Sequence, residues 1–145
     1  MKLEVGMYVR TEDGRISKVT QIKRDIELNL KFYCFEENII HRNYEECELK
    51  RIIKKASNNI IDLIEDEDIA VIEYYVSKYR QRITRMFECS LFKSKEDEFV
   101  IFENKHCDWW YDKNKKEWAR AKGYNPKIKS IVTKEQFSQI EYKVD

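Results

Sequence analysis

The sequence predicts a mainly β (α+β) protein in which a small barrel-like unit at residues 1–65 is followed by a second small β unit at residues 66–145 carrying one or two short helices. Three observations lead there. The first 35 residues hold three strand patterns around a single glycine turn. Four consecutive acids, Glu65-Asp66-Glu67-Asp68, interrupt the apolar runs near mid-chain and mark a boundary. The second half contains two further apolar strand patterns, EFVIFE at 98–103 and KIKSIV at 127–132. At 145 residues the chain is too short for a large α/β enzyme, and its 42% hydrophobic and 13% aromatic content is enough to fill a core. With 38% charged residues against an average of roughly 25%, the surface is dense in charge.

Taken in order, Val5-Gly6-Met7-Tyr8-Val9-Arg10-Thr11 reads as a first strand, and Glu12-Asp13-Gly14 supplies a residue that tolerates positive φ for a hairpin turn. Ile16, Val19 and Ile22 are spaced by three in a β-branched context, which predicts a strand with a bulge or bend. A third strand spans Leu28 to Phe35, with Leu28, Leu30, Phe32 and Cys34 on one face. From Tyr44 to Lys55, acids precede bases in the order that complements a helix dipole, so a short helix is expected, ended by Ser57-Asn58-Asn59. Ile60-Ile61-Asp62-Leu63-Ile64 is a compact run for burial, and Glu65–Asp68 is a solvated acidic turn whose adjacent carboxylates lack the spacing of a calcium loop.

Two periods compete between Ile69 and Phe92. Ile69, Ile72, Val76, Tyr79, Ile83 and Met86 recur at steps of three and four, the signature of an amphipathic helix. The β-branched Val71, Ile72, Val76, Ile83 and Thr84 with Tyr74-Tyr75 favour strands instead. Periodicity alone favours the helix. After the Glu98–Glu103 strand a basic aromatic loop runs to Pro126, and then comes the Lys127–Val132 strand. Thr133 and Gln136 form a capping box that opens a short helix, and Glu141 to Val144 closes the chain as an edge strand.

No apolar run approaches the roughly 18–20 residues that cross a bilayer, and the start MKLEVGMYVR lacks the apolar stretch of a signal peptide, so the expected location is the cytoplasm, with no membrane partner. Cys34, Cys47, Cys89 and Cys107 are then expected as reduced thiols rather than a disulfide framework. The abundance of Lys, Ile, Asn, Glu and Tyr with three Gly and one Pro is the bias of an AT-rich genome. The formal net charge is +1, so no global field recruits nucleic acid or membrane. Charge is divided, however: residues 1–75 carry 12 basic and 16 acidic side chains, and residues 76–145 carry 16 basic and 11 acidic. Anions would be met by the second half.

Three blocks, VGMYVRTEDGRISKV at 5–19, NNIIDLIEDED at 58–68 and NPKIKSIVTKEQFSQIEYKV at 125–144, together resemble a set of small proteins carried by phages and prophages of low-GC Gram-positive bacteria. The resemblance covers about a third of the chain. It implies an SH3-like or KOW-like barrel for the first block and a second barrel-like unit after the middle one, where the Gly-Asp usual in those proteins is replaced within Glu65–Asp68. It also implies a β-hairpin, not a helix, over residues 71–91. No catalytic residues come with it.

The chemistry legible in the residues is that of binding. Cys34, His41 and Cys47 lack the tight pairs of structural zinc sites, so neither a metal nor a cofactor is expected. His106-Cys107 are adjacent, but strand neighbours point to opposite faces, which argues against an activated thiolate. No phosphate loop, nucleophile elbow or metalloprotease motif is present, so no enzyme is expected. The segment Lys105–Lys129 interleaves Trp109, Trp110, Tyr111, Trp118 and Tyr124 with Lys113, Lys115, Lys116, Arg120 and other bases, net +5. Such a surface suits stacked bases and phosphates, or protein hot spots. Alternatively, Trp109 and Trp118 are core and the lysines only solvate the loop. A second patch is Lys78, Arg80 and Arg82, which line one face if extended; if helical, Lys78, Arg82 and Arg85 cluster instead. The expectation is a non-enzymatic phage-encoded protein that inhibits or redirects a host protein or ribonucleoprotein, sharpest as an anti-CRISPR protein acting on a CRISPR effector. The alternative is a small β-barrel nucleic-acid-binding regulatory protein.

Overall fold

The computed structural model describes residues 2–36, 44–119 and 121–140, without the side chains of 44–47, 139 and 140. Strands make up 53% of the described structure and helix 11%, so the mainly β class holds. The chain forms two compact units, Met1–Leu63 and Ile64–Asp145.

In the first unit, β1 (Tyr8–Thr11), β2 (Ile16–Asp25), β3 (Leu30–Phe35), β4 (Tyr44–Glu45) and β5 (Ile53–Ser57) form one antiparallel sheet in the order β4-β3-β2-β1-β5. A seven-residue helix, α1 (Glu46–Ile52), joins the last two strands. Gly14 turns β1 into β2 at φ 86°, its N–H donating to the Thr11 carbonyl at 3.0 Å. Beside it the Thr11 hydroxyl donates to the Asp13 carboxylate, which is the main reason that carboxyl titrates below its ordinary value. The bend read from the three-residue spacing in β2 is a register shift between Val19 and Gln21. Leu3, Val9, Val19, Tyr33, Phe35, Leu49 and Ile53 make the core.

Three sequence expectations change here. The helix read over 44–55 ends at Ile52, because Ile53–Ser57 pairs with β1 and sheet pairing overrides the charge order that favours a helix there. The core face of β3 is Tyr33 and Phe35, leaving Leu28 exposed before the strand. Glu65–Asp68 is not simply a solvated turn: Glu65 and Asp68 are buried, and only Asp66 and Glu67 are exposed. Before it, Ile60–Leu63 forms a 3-10 turn with Ile61 and Leu63 buried. The Leu63 carbonyl accepts a 2.9 Å bond from the fully buried Arg10 guanidinium.

The second unit is a curled six-stranded half-barrel sheet in the order β10-β9-β8-β7-β6-β11. Its strands are β6 (Ile69–Val76), β7 (Gln81–Lys93), β8 (Glu98–Glu103), β9 (Asp108–Asp112), β10 (Glu117–Ala119) and β11 (Lys127–Val132), followed by α2 (Lys134–Ile140). Residues 69–93 are therefore a β-hairpin, and the helical period is overturned. The residues it collected fall on opposite faces of two strands, with Tyr79 in the turn between them: Ile72 is fully buried, while Met86 is 59% exposed. Within the segment read as a loop, Asp108–Asp112 and Glu117–Ala119 are strands, paired through Trp118 opposite Tyr111. The strands at 98–103 and 127–132 lie where expected. The capping box closes in both directions: Gln136 N–H donates to Thr133 Oγ1 at 3.3 Å and Thr133 N–H to Gln136 Oε1 at 3.1 Å. The edge strand expected at 141–144 lies outside the described residues.

β7 is the spine of this sheet. Its first half pairs with β6 and its second half with β8, the two partners overlapping only at Glu88. Beyond the end of β6 the chain continues the edge with other groups. Cys89 N–H donates to the Asp68 carbonyl at 2.8 Å, and Leu91 N–H donates to Asp66 Oδ1 at 2.7 Å. A carboxylate thus takes the place of a neighbouring strand.

Candidate binding face

Side chains directly opposite each other on paired strands share a face. On the inner face of the half-barrel the register brings together Phe87, Cys89, Phe102, Trp109, Tyr111 and Trp118. These are core residues. Trp109 is 4% exposed, stacks on Phe87 at 5.1 Å between ring centroids and meets Tyr74 edge-on at 4.5 Å. Half-buried Trp118 lies against Phe102 at 5.2 Å and Tyr111 at 5.4 Å. Such offset and edge-to-face pairs are each worth about 0.5–1.5 kcal/mol beyond area burial. Of the aromatic residues read as a binding cluster, Trp109, Tyr111 and Trp118 are thus spent on packing; Tyr124, 42% exposed, lies against Trp109 at 5.9 Å, apart from Trp110.

Trp110 lies on the outer face, 38% exposed, with two rings that the sequence reading did not single out. Phe99 is edge-on to it at 5.5 Å, and Phe92, itself 44% exposed, lies 6.3 Å from both. Ile101, opposite Trp110 and Ser90, extends the patch. The signal was present in EFVIFE: apolar side chains alternate on both faces of β8, so one set must face away from the core. Next along the outer face come Glu88, Glu103 and Asp108, directly opposite one another across β7, β8 and β9 and all exposed. Ile69, opposite Glu88, and Met86, two residues along β7, line an open groove with Glu88, Glu103, Asn104 and Lys105.

The predicted cations are dispersed by the same topology. Lys113 forms an ion pair with Glu98 at 3.4 Å. Lys115 and Lys116 are exposed in the β9–β10 turn, which is closed by Asp112 Oδ1 accepting from the N–H groups of Asn114 and Lys115. That turn touches the β7–β8 turn, where Asn114 Nδ2 donates to the Glu96 carbonyl at 2.7 Å. Arg120 lies outside the described residues. The basic ribbon of Lys78, Arg80 and Arg82 does not form: Lys78 and Arg80 occupy the β6–β7 turn, Arg80 at φ 51°. Arg82 alone is in the strand, paired with Glu73 at 3.4 Å and donating to the Asn125 carbonyl at 2.9 Å.

Neither reactive possibility gains a constellation. Cys107 is half-buried and hydrogen-bonded to Tyr74; burial pushes its thiol above the ordinary value, against an activated thiolate. His106 is exposed, its backbone N–H held by Asn104 Oδ1. His41 and the Cys47 side chain lie outside the described residues, among which no group of three or more His, Cys, Asp or Glu is placed to hold a metal ion. None of the described helices is long and apolar enough to cross a membrane.

Fold and face together define the class: a two-unit, mainly β protein whose half-barrel sheet has an apolar, partly acidic outer face. Family models, curated proteins and solved structures were each compared with the chain, and none matches it.

Proposed function

We propose that this is a non-enzymatic binding protein whose outer half-barrel face docks onto a macromolecular partner, a host protein or ribonucleoprotein that it inhibits or redirects. The single observation behind this reading is the Phe92, Phe99 and Trp110 cluster, three neighbouring rings on the outer sheet face of which Phe92 and Trp110 are exposed. Aromatic anchors of this kind concentrate binding energy at protein interfaces. The sequence resemblance to phage and prophage proteins makes the cell they infect the place to look, and a CRISPR effector the sharpest candidate. The test is to purify the tagged chain and its Trp110→Ala variant from an immune host while measuring phage survival. The reading requires a stoichiometric partner and phage protection, both lost in the variant; no partner together with no protection overturns it.

The second reading, a small β-barrel nucleic-acid binder, draws on the exposed Lys115 and Lys116 of the β9–β10 turn and on the exposed Trp110 of β9. It is weakened by the burial of Trp109 and Tyr111, which removes two stacking rings, and by the engagement of Lys113 with Glu98. Binding of single-stranded RNA or DNA with a steep salt dependence would favour it.

A further inference from the structure

The outer face of the second unit carries an arrangement that costs folding stability. Glu88 lies directly opposite Glu103, and Glu103 directly opposite Asp108, on adjacent antiparallel strands. Neighbouring strands are about 4.8 Å apart, so three carboxylates stand in a row roughly 10 Å long. Like charges directly opposite are destabilising. No Lys or Arg among the described residues is ion-paired with any of the three: Lys113 is held by Glu98, Lys129 and Arg82 by Glu73, and Lys134 by Glu65, while Lys105 lines the groove with Glu88 and Glu103 beyond ion-pair distance. The row is bracketed by apolar side chains, with Ile101 and Trp110 two residues along the strands on one side, Met86 two residues along β7 on the other, and Ile69 opposite Glu88 at the end of the row.

The geometry points to a specific occupant: an extended protein segment that places arginine or lysine side chains over Glu88, Glu103 and Asp108 and apolar side chains on the flanking patches. This inference rests on the binding-protein reading above and adds the chemistry of the partner. Charge complementarity selects the segment. A nucleic acid laid across the same patches would set its phosphates against the carboxylate row, and a second copy of this face would bring acids towards acids. A basic segment is attracted by the row and relieves its repulsion, while the apolar flanks supply desolvation energy.

The experiment uses the full-length chain and a short fluorescent peptide alternating Arg and Leu, read by polarisation. Controls are the same peptide with Glu for Arg and a single-stranded oligouridine. The wild type binds the Arg–Leu peptide and neither control. The double variant Glu88→Gln/Glu103→Gln weakens binding about tenfold while its unfolding midpoint rises, since it removes a repulsion. A bulk-charge control, Glu12→Gln/Glu36→Gln on the first unit, leaves the affinity unchanged. If Trp110→Ala weakens peptide binding but the Glu88/Glu103 variant does not, the aromatic face stands and the basic-segment inference falls. Absence of peptide binding, tighter binding of oligouridine, or self-association through this face in sedimentation also overturns it.

Discussion

Trp109 and Trp110 are adjacent in sequence and do opposite work: Trp109 is sealed against Phe87 on the inner face of β9, and Trp110 is edge-on to Phe99 on the outer face. The two substitutions therefore separate folding from binding. Trp109→Ala removes a buried ring from a packed aromatic cluster and should cost about 3–5 kcal/mol in urea unfolding. Trp110→Ala should cost about 1 kcal/mol, the value of an exposed ring pair, and abolish capture of the partner. Comparable stability losses in both variants would show that the outer cluster is structural.

Much of this was legible from two-residue alternation. Ala70, Ile72 and Tyr74 are buried along β6 while Val71, Glu73 and Tyr75 are less so, and Val100 and Phe102 alternate with Phe99 and Ile101 along β8. The helical period misled because the outer face is itself apolar: with hydrophobic residues on both faces of a hairpin, spacings of three and four arise by crossing from one face to the other. Trp118 and Tyr111 fall in a segment that the sequence predicts as loop, because short strands rich in charge carry little apolar pattern of their own; their pairing is decided by tertiary register. The acid row was not legible, since Glu88 lies fifteen residues before Glu103 and Asp108 five after it, and the three meet only once the register of β7, β8 and β9 is set.

Asp68 ties two segments of the second unit together. It is fully buried, its Oδ2 accepting from Glu65 N–H at 2.8 Å and its Oδ1 from Lys134 N–H at 2.9 Å, so one carboxylate fixes the turn before β6 and the start of α2. Asp68→Asn places an amide donor where a donor already points. Bonds to a charged acceptor are worth about 1.5–3 kcal/mol, and the variant should lose about that much stability, measured by urea unfolding. A loss below about 0.5 kcal/mol would mean that these bonds are replaced by water.

Thr133 is fully buried and caps α2 through its side chain. Thr133→Ala should cost about 1 kcal/mol, and Thr133→Ser should restore most of it. Hydrogen exchange should speed up at Gln136, whose N–H loses the Thr133 hydroxyl, before it changes in β8. Equal acceleration throughout the sheet would show that α2 and the sheet unfold as one cooperative unit.

The cysteines should react in an order set by burial. The Cys89 thiol is pushed up to about 12, first by burial and then by the nearby Asp68 carboxylate. Cys107 is raised by its own burial, partly offset by the bond from Tyr74. Because the folded state binds the Cys89 proton more tightly than the unfolded chain, whose thiol titrates near 9.0, the contribution of this group is complete below pH 9 and is lost as pH rises towards 12. At pH 8, iodoacetamide mapped by mass spectrometry should therefore leave Cys89 unmodified in the native protein and label Cys107 slowly; unfolding in urea should equalise the two. Cys89→Ser would put a hydroxyl where a buried thiol sits, and its stability should no longer fall through the thiol's part of that alkaline window. Rapid native labelling of Cys89 would show instead that β7 opens beside Asp68 on the timescale of the reaction.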